Sequence, residues 1–428
     1  MADLKNFFHV LKEDARELIK PVKPFTVYDY IAVLAAVLAA FFVCDAPSVI
    51  QTAGASFGYL NRQFINFYEY ARECGIREVC FMPAVYGIYA LWNLPLKLTF
   101  LVRYPMPEVP YFVLLWYKLL PVLTYVACIY LAYKLALEIG MGLKKAKLCA
   151  LAAFTMPVSF VLQFFCGWMM VFPLFFVLLG LLFCLRNHHW RFIACFAAAI
   201  ALEQFVWILF LPLLLLKEKR LKQLCADIAA AALPFGLEYI LYSRNIAFLQ
   251  NVKLFDINKS LAAGLNIGIF VIQYAVFFWI MILGWSYFTS AKTKRDMAGY
   301  ALFFMGLAVT LTLCVTDWKA EYFMFLAPLS VLGAFLHRDM RIFMILDIGW
   351  AGLMAVYMAC QRFETGNIGM AASLYTILLI VLVAFKHPSF LMEKADELPL
   401  ICTGWLRTRF IVGVLLCMVP AVAGKIFG

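Results

Sequence analysis

An isolated carboxylate beside an apolar run is the first candidate for chemistry in this sequence. The run spans residues 31–43, and Asp45 follows it, ahead of a long loop rich in tyrosine, asparagine and arginine. An ionisable side chain where an apolar helix meets a polar interface is unfavourable, so it predicts a functional site. The alternative is an ordinary residue at a helix end without a task.

The loop after Asp45 carries side chains that suit a sugar or a lipid phosphate, namely Tyr59, Asn61, Arg62, Tyr68 and Glu69. Its apolar and aromatic positions recur at helical spacing: Leu60, Phe64, Phe67 and Tyr68. This pattern predicts one amphipathic helix over residues 59–70 that lies on the outer leaflet as a lid over a cavity. The alternative is an interfacial anchor without a catalytic part.

Two further polar clusters interrupt apolar segments. Glu203 and Gln204 lie in the middle of the run 192–216, where a carboxylate should face a cavity or a partner. Asp317, Lys319 and Glu321 occupy a short turn, which is either a binding element or a solvated turn with a weak local ion pair.

Composition defines the class of protein. Hydrophobic residues make up 65% of the 428 residues, charged residues 14%, and the mean hydropathy is +0.89. Such a chain has too little polar surface for a soluble domain, so it is predicted to be a polytopic membrane protein. The net charge of +11 resides in short basic clusters between apolar runs. These are typical of topology determinants and of anchors for anionic lipid headgroups, and they argue against nucleic acid as a partner.

The apolar runs predict an all-α fold of about eleven transmembrane helices. They cover residues 28–46, 111–137, 147–165, 168–185, 224–242, 265–288, 297–316, 320–336, 341–360, 370–386 and 405–424. The run 79–102 contains prolines and Lys97, which favours an interfacial or re-entrant element. The run 192–216 has basic residues on both flanks, which predicts a re-entrant hairpin with Glu203 and Gln204 at its tip.

The positive-inside rule orients this arrangement. Most lysine and arginine residues fall inside when the N-terminus is cytoplasmic, which places every unusual polar cluster on the outer face. The chain then divides into an amphipathic cytoplasmic segment (1–27), a main transmembrane module (28–336, with the first outside loop at 45–110) and C-terminal helices (337–428). Cys74 and Cys80, both in that loop, are either a disulfide or two free thiols.

Several stretches resemble the GT-C superfamily of integral-membrane glycosyltransferases. They are the Tyr-Leu-x-x-x-Phe-x-x-Phe-Tyr-x-Tyr pattern at 59–70, Met82-Pro83-Ala84-Val85-Tyr86, and Leu91-Trp92-Asn93-Leu94-Pro95-Leu96-Lys97. The likeness is to bacterial members and to polyprenol-phosphate-mannose-type transferases, and it covers roughly residues 28–335. This chain departs from the family at Gly167-Trp168-Met169-Met170, at Glu203-Gln204 and at the turn that carries Asp317.

The resemblance implies a reaction on the outer face of a bacterial cytoplasmic membrane. A sugar would move from a polyprenyl-phosphate donor to an envelope glycan, glycolipid or protein, with Asp45 as general base. Arg62, Lys97 and Arg103 would contact the phosphate. The sequence requires no cofactor and leaves the need for a divalent cation open. The alternatives are a non-catalytic scaffold, and a lipid-linked glycan flippase or transporter that uses Glu203 and Glu238.

Overall fold

The structure, a computed structural model, describes most of the chain. It covers residues 9, 12–14, 16–17, 20–22, 25–43, 46–76, 79–106, 108–156, 159, 163, 167, 169–252, 264–267, 270–315, 323–337, 340–349 and 404–411. Asp45 and the predicted turn with Asp317, Lys319 and Glu321 lie outside the described residues, as does the predicted span 370–386.

The described part is helical apart from one pair of short strands. The helices up to residue 202 are α1 (Val27–Val43), α2 (Pro47–Ala55), α3 (Phe57–Leu60), α4 (Phe67–Glu73), α5 (Pro83–Leu98), α6 (Tyr111–Glu138), α7 (Leu143–Phe154), α8 (Val171–Leu185) and α9 (His189–Leu202). After them come α10 (Val206–Lys217), α11 (Leu221–Tyr242), α12 (Ile246–Asn251), β1 (Gly264–Ile267), β2 (Phe270–Gln273), α13 (Tyr274–Phe288), α14 (Lys294–Val315) and α15 (Phe323–Leu336). Two further helical segments cover 341–349 and 404–411.

Two helices, α6 and α11, are long and apolar enough to cross a bilayer, and several shorter helices are comparably apolar. Large apolar side chains on the outer side of α11 are open to the surroundings: Leu233, Ile240 and Leu241 are 62%, 69% and 61% exposed. A contiguous apolar face of this kind indicates contact with lipid or with another protein. The predicted helical class is confirmed, whereas the number of crossings stays a prediction.

The apolar run 192–216 folds back on itself as two antiparallel helices, α9 and α10. The helices meet in a turn at Glu203, Gln204 and Phe205. Phe196 of α9 packs against Phe210 of α10, with ring centroids 5.1 Å apart. At the other end, the Lys217 ammonium group lies 5.2 Å over the Phe192 ring. The predicted hairpin is therefore present as a helix pair with both basic flanks at one end, and its re-entry into a membrane stays a prediction.

Two predicted elements were wrong in detail. The run 265–288 was predicted as one helix, but its first part forms the antiparallel pair β1–β2, with Gly264 opposite Gln273 and Ile267 opposite Phe270. Ile, Val and Phe have a high strand propensity, which is consistent with strands there. Residues 59–70 do not form one amphipathic helix, because a turn at 61–66 separates α3 from α4. Arg62 in this turn has a φ of 65°, which a continuous right-handed helix excludes.

The predicted cytoplasmic segments meet at one end of the molecule. The N-terminal segment reaches the helices through ion pairs of Asp14 with Lys134 and of Glu17 with Lys147. Hydrogen bonds from Lys20 and Lys147 hold the pKa of Glu17 below its ordinary value. Glu138 joins α6 to Arg186 at 2.8 Å and to Lys294 at 2.9 Å. Segments that the charge asymmetry assigned to one side of a membrane are thus neighbours.

A buried ion pair ties the segment 404–411 to the core. Arg409 and Asp347 are almost completely buried and form this pair, and the guanidinium group also donates to the Ala152 carbonyl of α7. One guanidinium nitrogen lies 3.4 Å from the second carboxylate oxygen of Asp347. Nearer the surface, Arg407 pairs with Asp29 of α1 at 3.2 Å. Arg409 is thus a buried structural residue and not a solvated surface charge.

Candidate functional site

Three of the predicted site residues come together where the ends of α3 and α5 meet the following loop. The Lys97 ammonium group, in the last turn of α5, donates to the side-chain oxygen of Asn61 and to the Arg103 carbonyl, the latter at 2.8 Å. The Asn61 amide donates at 3.1 Å to both the Arg103 carbonyl and the Tyr70 hydroxyl. We call Asn61, Tyr70, Lys97 and Arg103 the Lys97 cluster.

The Lys97 cluster is cationic and borders an apolar surface. The Arg103 guanidinium group is exposed and lies 5.2 Å from the centroid of the Phe100 ring. Large apolar side chains beside it are also open to the surroundings, namely Leu94, Leu98, Phe100 and Leu101. An exposed arginine and a partly exposed lysine next to an exposed apolar rim are an arrangement that attracts an anionic headgroup whose chain lies in a bilayer.

Tyr59 and Tyr68 anchor the first loop. The Tyr242 hydroxyl at the end of α11 donates its proton to the Phe64 carbonyl at 2.6 Å. The Tyr59 and Tyr242 hydroxyls are 2.8 Å apart, and because the Tyr242 proton is already used, Tyr59 is the donor in this contact. The Tyr68 hydroxyl donates to the Phe81 carbonyl at 2.7 Å. Burial raises the pKa of both Tyr59 and Tyr68, which therefore remain neutral donors. The structure places them in the loop support and away from the Lys97 cluster.

The aromatic cluster around these tyrosines joins two predicted outside segments. Phe67 contacts the rings of Tyr59, Tyr68, Tyr86 and Tyr242, at centroid distances of 4.6, 4.0, 5.0 and 5.6 Å. The Asn245 amide, just after α11, donates to the Ile65 carbonyl at 3.2 Å. The polar loops that were predicted to share one face are thus packed together.

The remaining predicted residues are placed separately. Arg62 is exposed and Glu69 partly buried, and neither forms a side-chain hydrogen bond within the part of the chain that the structure covers. Glu203 and Gln204 are partly exposed at the α9–α10 turn, where the Glu203 carboxylate accepts from the Phe205 amide at 3.3 Å. None of the four has a hydrogen bond to the Lys97 cluster among the described contacts.

Two side chains of α6 hold the end of α1, the helix that precedes Asp45 in the chain. The buried Lys118 of α6 donates to the Phe41 carbonyl in the last turn of α1, and the Tyr111 hydroxyl donates to the Phe42 carbonyl. Lys118 is a lone charge within the predicted span 111–137. A lone lysine in an apolar helix is the signal that could have identified it as a site candidate.

The Gly167 turn packs directly on α2, close behind Asp45 in the chain. Gly167 has a φ of 63°, and a β-carbon added there would lie 2.2 Å from a γ-carbon of Val49. Glycine is required for both reasons, since other residues resist this conformation and no space exists for a side chain.

Replacing Gly167 with alanine should therefore lower the free energy of unfolding by about 3 kcal/mol, from overpacking and backbone strain together. The measurement is thermal unfolding of the purified full chain. Gly87→Ala is the matched control, because a β-carbon at this helical glycine meets no atom within 4 Å. Val49→Ala should restore part of the loss in Gly167→Ala. Equal unfolding temperatures for the Gly167 and Gly87 variants would contradict this account.

The described residues contain no group of three or more His, Cys, Asp or Glu side chains that could hold a metal ion. The need for a divalent cation thus stays open. Cys74 is a free thiol in the structure and is not bridged to Cys80.

Comparison with known proteins does not assign the chain. No protein-family model matches it, and no curated protein or solved structure shows a significant match. The geometry of the site is therefore the basis for the functional proposal.

Proposed function

We propose that the protein is a GT-C-type membrane glycosyltransferase of a bacterial cytoplasmic membrane. It transfers a sugar from a polyprenyl-phosphate donor to an envelope glycan, glycolipid or protein on the extracytoplasmic face. The observation that carries this proposal is the Lys97 cluster, which sets Lys97 and Arg103 beside exposed apolar side chains. A lipid phosphate carries both chemistries, a charged head and an apolar chain.

The cluster has the donors that a phosphate needs. Lys97 is held at the surface by Asn61 and by the Arg103 carbonyl, while the Arg103 guanidinium group is exposed. Hydrogen bonds from charged donors are shorter and stronger than neutral ones, and they would stabilise the charge that develops on the departing phosphate. Neither cation has an ion-pair partner among the described residues, which leaves their charge for a ligand.

Asp45 supplies the base in this proposal. A general base must lie within hydrogen-bond reach of the acceptor hydroxyl, and the carboxylate is a suitable base for that proton. The buried Lys118 at the end of α1 adds a positive charge close to the preceding turn. A base requires the ionised form of the carboxylate.

The test is a sugar-transfer assay with the purified full chain in lipid vesicles, using polyprenyl-phosphate-linked hexoses as donors and membrane extracts as acceptors. The proposal expects transfer of labelled sugar that requires the lipid-linked donor. Saturable movement of intact lipid-linked sugar across the vesicle membrane, without transfer, would instead identify a flippase. A stable partner protein with neither activity would indicate a scaffold.

Lys97→Met should raise the KM for the lipid-linked donor by about tenfold or more, because a hydrogen bond from a charged donor contributes about 1.5–3 kcal/mol. Lys97→Arg should keep most of the affinity, since it retains the charge. Lys222→Met removes an exposed charge from the predicted cytoplasmic side and should leave KM unchanged. A KM for Lys97→Met that equals that of Lys222→Met would remove Lys97 from the site.

A further inference from the structure

A buried aspartate on α11 has no lysine or arginine partner in the described part of the chain. The Asp227 side chain is 0% exposed and lies beside His189, the first residue of α9, and Gln223, one turn earlier on α11. Its carboxylate oxygen Oδ1 contacts both neighbours, whereas Oδ2 is buried without a hydrogen-bond partner among the described residues. A buried carboxylate is unfavourable unless a cation or a full set of donors compensates its charge. Asp227 therefore lacks a partner for its charge.

Three polar atoms of this cluster form a nearly equilateral triangle. Asp227 Oδ1 is 3.0 Å from His189 Nε2 and 2.8 Å from the Gln223 amide nitrogen, and the two nitrogens are 3.2 Å apart. By the cosine rule these distances set the angle at Oδ1 to about 67°, whereas donors prefer the separate lone-pair directions of a carboxylate oxygen. Hydrogen bonds alone thus crowd Oδ1 and leave Oδ2 without a donor.

The same triangle matches the face that three ligands present to a divalent metal ion. The Gln223 amide can turn over so that its oxygen takes the place of the nitrogen, because the two atoms are nearly equivalent in shape. Imidazole nitrogen, carboxylate oxygen and amide oxygen all bind divalent metals. An octahedral ion with bonds of about 2.1 Å has neighbouring ligand atoms about 3.0 Å apart. The three measured separations, 2.8, 3.0 and 3.2 Å, centre on that value.

Solvent reaches the cluster from the side of His189. This side chain is 26% exposed, which gives an ion and its water ligands access. The neighbouring arginines have other contacts: the Arg191 guanidinium group lies 5.7 Å from the centroid of the Phe183 ring, and Arg186 pairs with Glu138 at 2.8 Å. The carboxylate is thus left to a cation from solution.

We propose that His189, Gln223 and Asp227 form a three-ligand site for a divalent transition-metal ion, with water at the remaining positions. Mixed nitrogen and oxygen ligands favour such an ion over Mg²⁺, which takes oxygen ligands. The ion supplies the positive charge that the buried carboxylate lacks, and it joins the α9–α10 hairpin to α11. The site shares no residue with the Lys97 cluster and does not depend on the proposed sugar transfer.

The test is Mn²⁺ binding to the purified full chain in nanodiscs of zwitterionic lipid, which carry no anionic headgroups to bind the ion. Loss of the free Mn²⁺ signal in electron paramagnetic resonance gives the Kd, and spin-echo modulation of the bound ion detects the nitrogen of an imidazole ligand. We expect saturable binding with an imidazole nitrogen. Zn²⁺ should displace Mn²⁺ at a lower concentration, as the usual order of metal affinities requires, whereas an equal concentration of Mg²⁺ should not.

His189→Gln and Asp227→Asn each remove one ligand group. Each should weaken the Kd for Mn²⁺ by at least about tenfold, because even the outer partners of metal ligands contribute about 10–100-fold to affinity. His188→Gln changes the adjacent, exposed histidine and is the matched control, which should leave the Kd unchanged. Asp45→Ala should also leave it unchanged, which distinguishes this site from any ion that sugar transfer uses.

The imidazole signal of the unmodified chain keeps the test valid where a variant fails to fold. Bound Mn²⁺ without a nitrogen ligand, or no saturable binding, overturns the site and leaves the three side chains as hydrogen-bond partners between α9 and α11. Equal Kd values for His189→Gln and His188→Gln overturn it as well. A Kd that is weakened only in Asp45→Ala would place the ion at Asp45 and reject the site.

Discussion

Asp45→Ala should abolish sugar transfer, reducing the rate by a factor of about 100 to 10,000, which is the usual contribution of a general base. Asp45→Asn should reduce the transfer rate to nearly the same extent, because the amide keeps the size of the side chain but cannot act as a base. The measurement is the initial rate of transfer from the lipid-linked donor at saturating donor concentration, so that kcat and not KM is compared.

The control for this experiment must distinguish a loss of catalytic activity from a loss of folded protein. Asp29→Asn changes another aspartate, on α1, whose charge pairs with Arg407 and has no part in the proposed reaction. It should alter stability slightly and leave kcat within a factor of about two, since a partly exposed ion pair contributes only about 0.2–1 kcal/mol. Full activity in Asp45→Ala would remove the catalytic role of Asp45 and favour the scaffold or flippase.

Arg409→Leu should destabilise the fold by about 3–5 kcal/mol, because it leaves the Asp347 carboxylate buried without a partner. Asp347→Leu should have a similar effect through the orphaned guanidinium group. The measurement is the unfolding midpoint of the full chain in a mild detergent, with retention of the folded fraction on size exclusion as a second readout.

The double variant Arg409→Leu/Asp347→Leu decides the mechanism of this effect. Two apolar side chains leave no buried charge, so the double variant should recover most of the loss and be more stable than either single variant. Arg407→Leu, which breaks the more exposed pair with Asp29, is the matched control and should cost under about 1 kcal/mol. Additive losses in the double variant would mean that the two residues act independently.

The helical class could be predicted from sequence because apolar runs of this length are compatible with few structures other than α-helices. The hairpin at Glu203 was predictable as well, since basic flanks on both sides of one apolar run have few topological solutions. The strands β1 and β2 were missed because a short apolar run of Ile, Val and Phe has no period that separates a strand from a buried helix. The break at Arg62 was missed because the helical spacing of Leu60, Phe64, Phe67 and Tyr68 runs across it, whereas Arg62 has a φ of 65°.

The site was predictable in its parts and not in its assembly. Lys97, Asn61 and Arg103 were named singly, yet their contact depends on how α3 and α5 pack, which no spacing encodes. Arg409 and Asp347 are 62 residues apart, so their pairing became visible only in the fold.

The tyrosine contact at the end of α11 links the exposed apolar side of that helix to the first loop. Tyr242 holds the Phe64 carbonyl and the Tyr59 hydroxyl together, while the outer side of the same helix presents Leu233, Ile240 and Leu241 to its surroundings. A force on this outer side of α11, from lipid or from another protein, would act through Tyr242 on the loop that carries Asn61. The surroundings of α11 and the Lys97 cluster are thus mechanically connected.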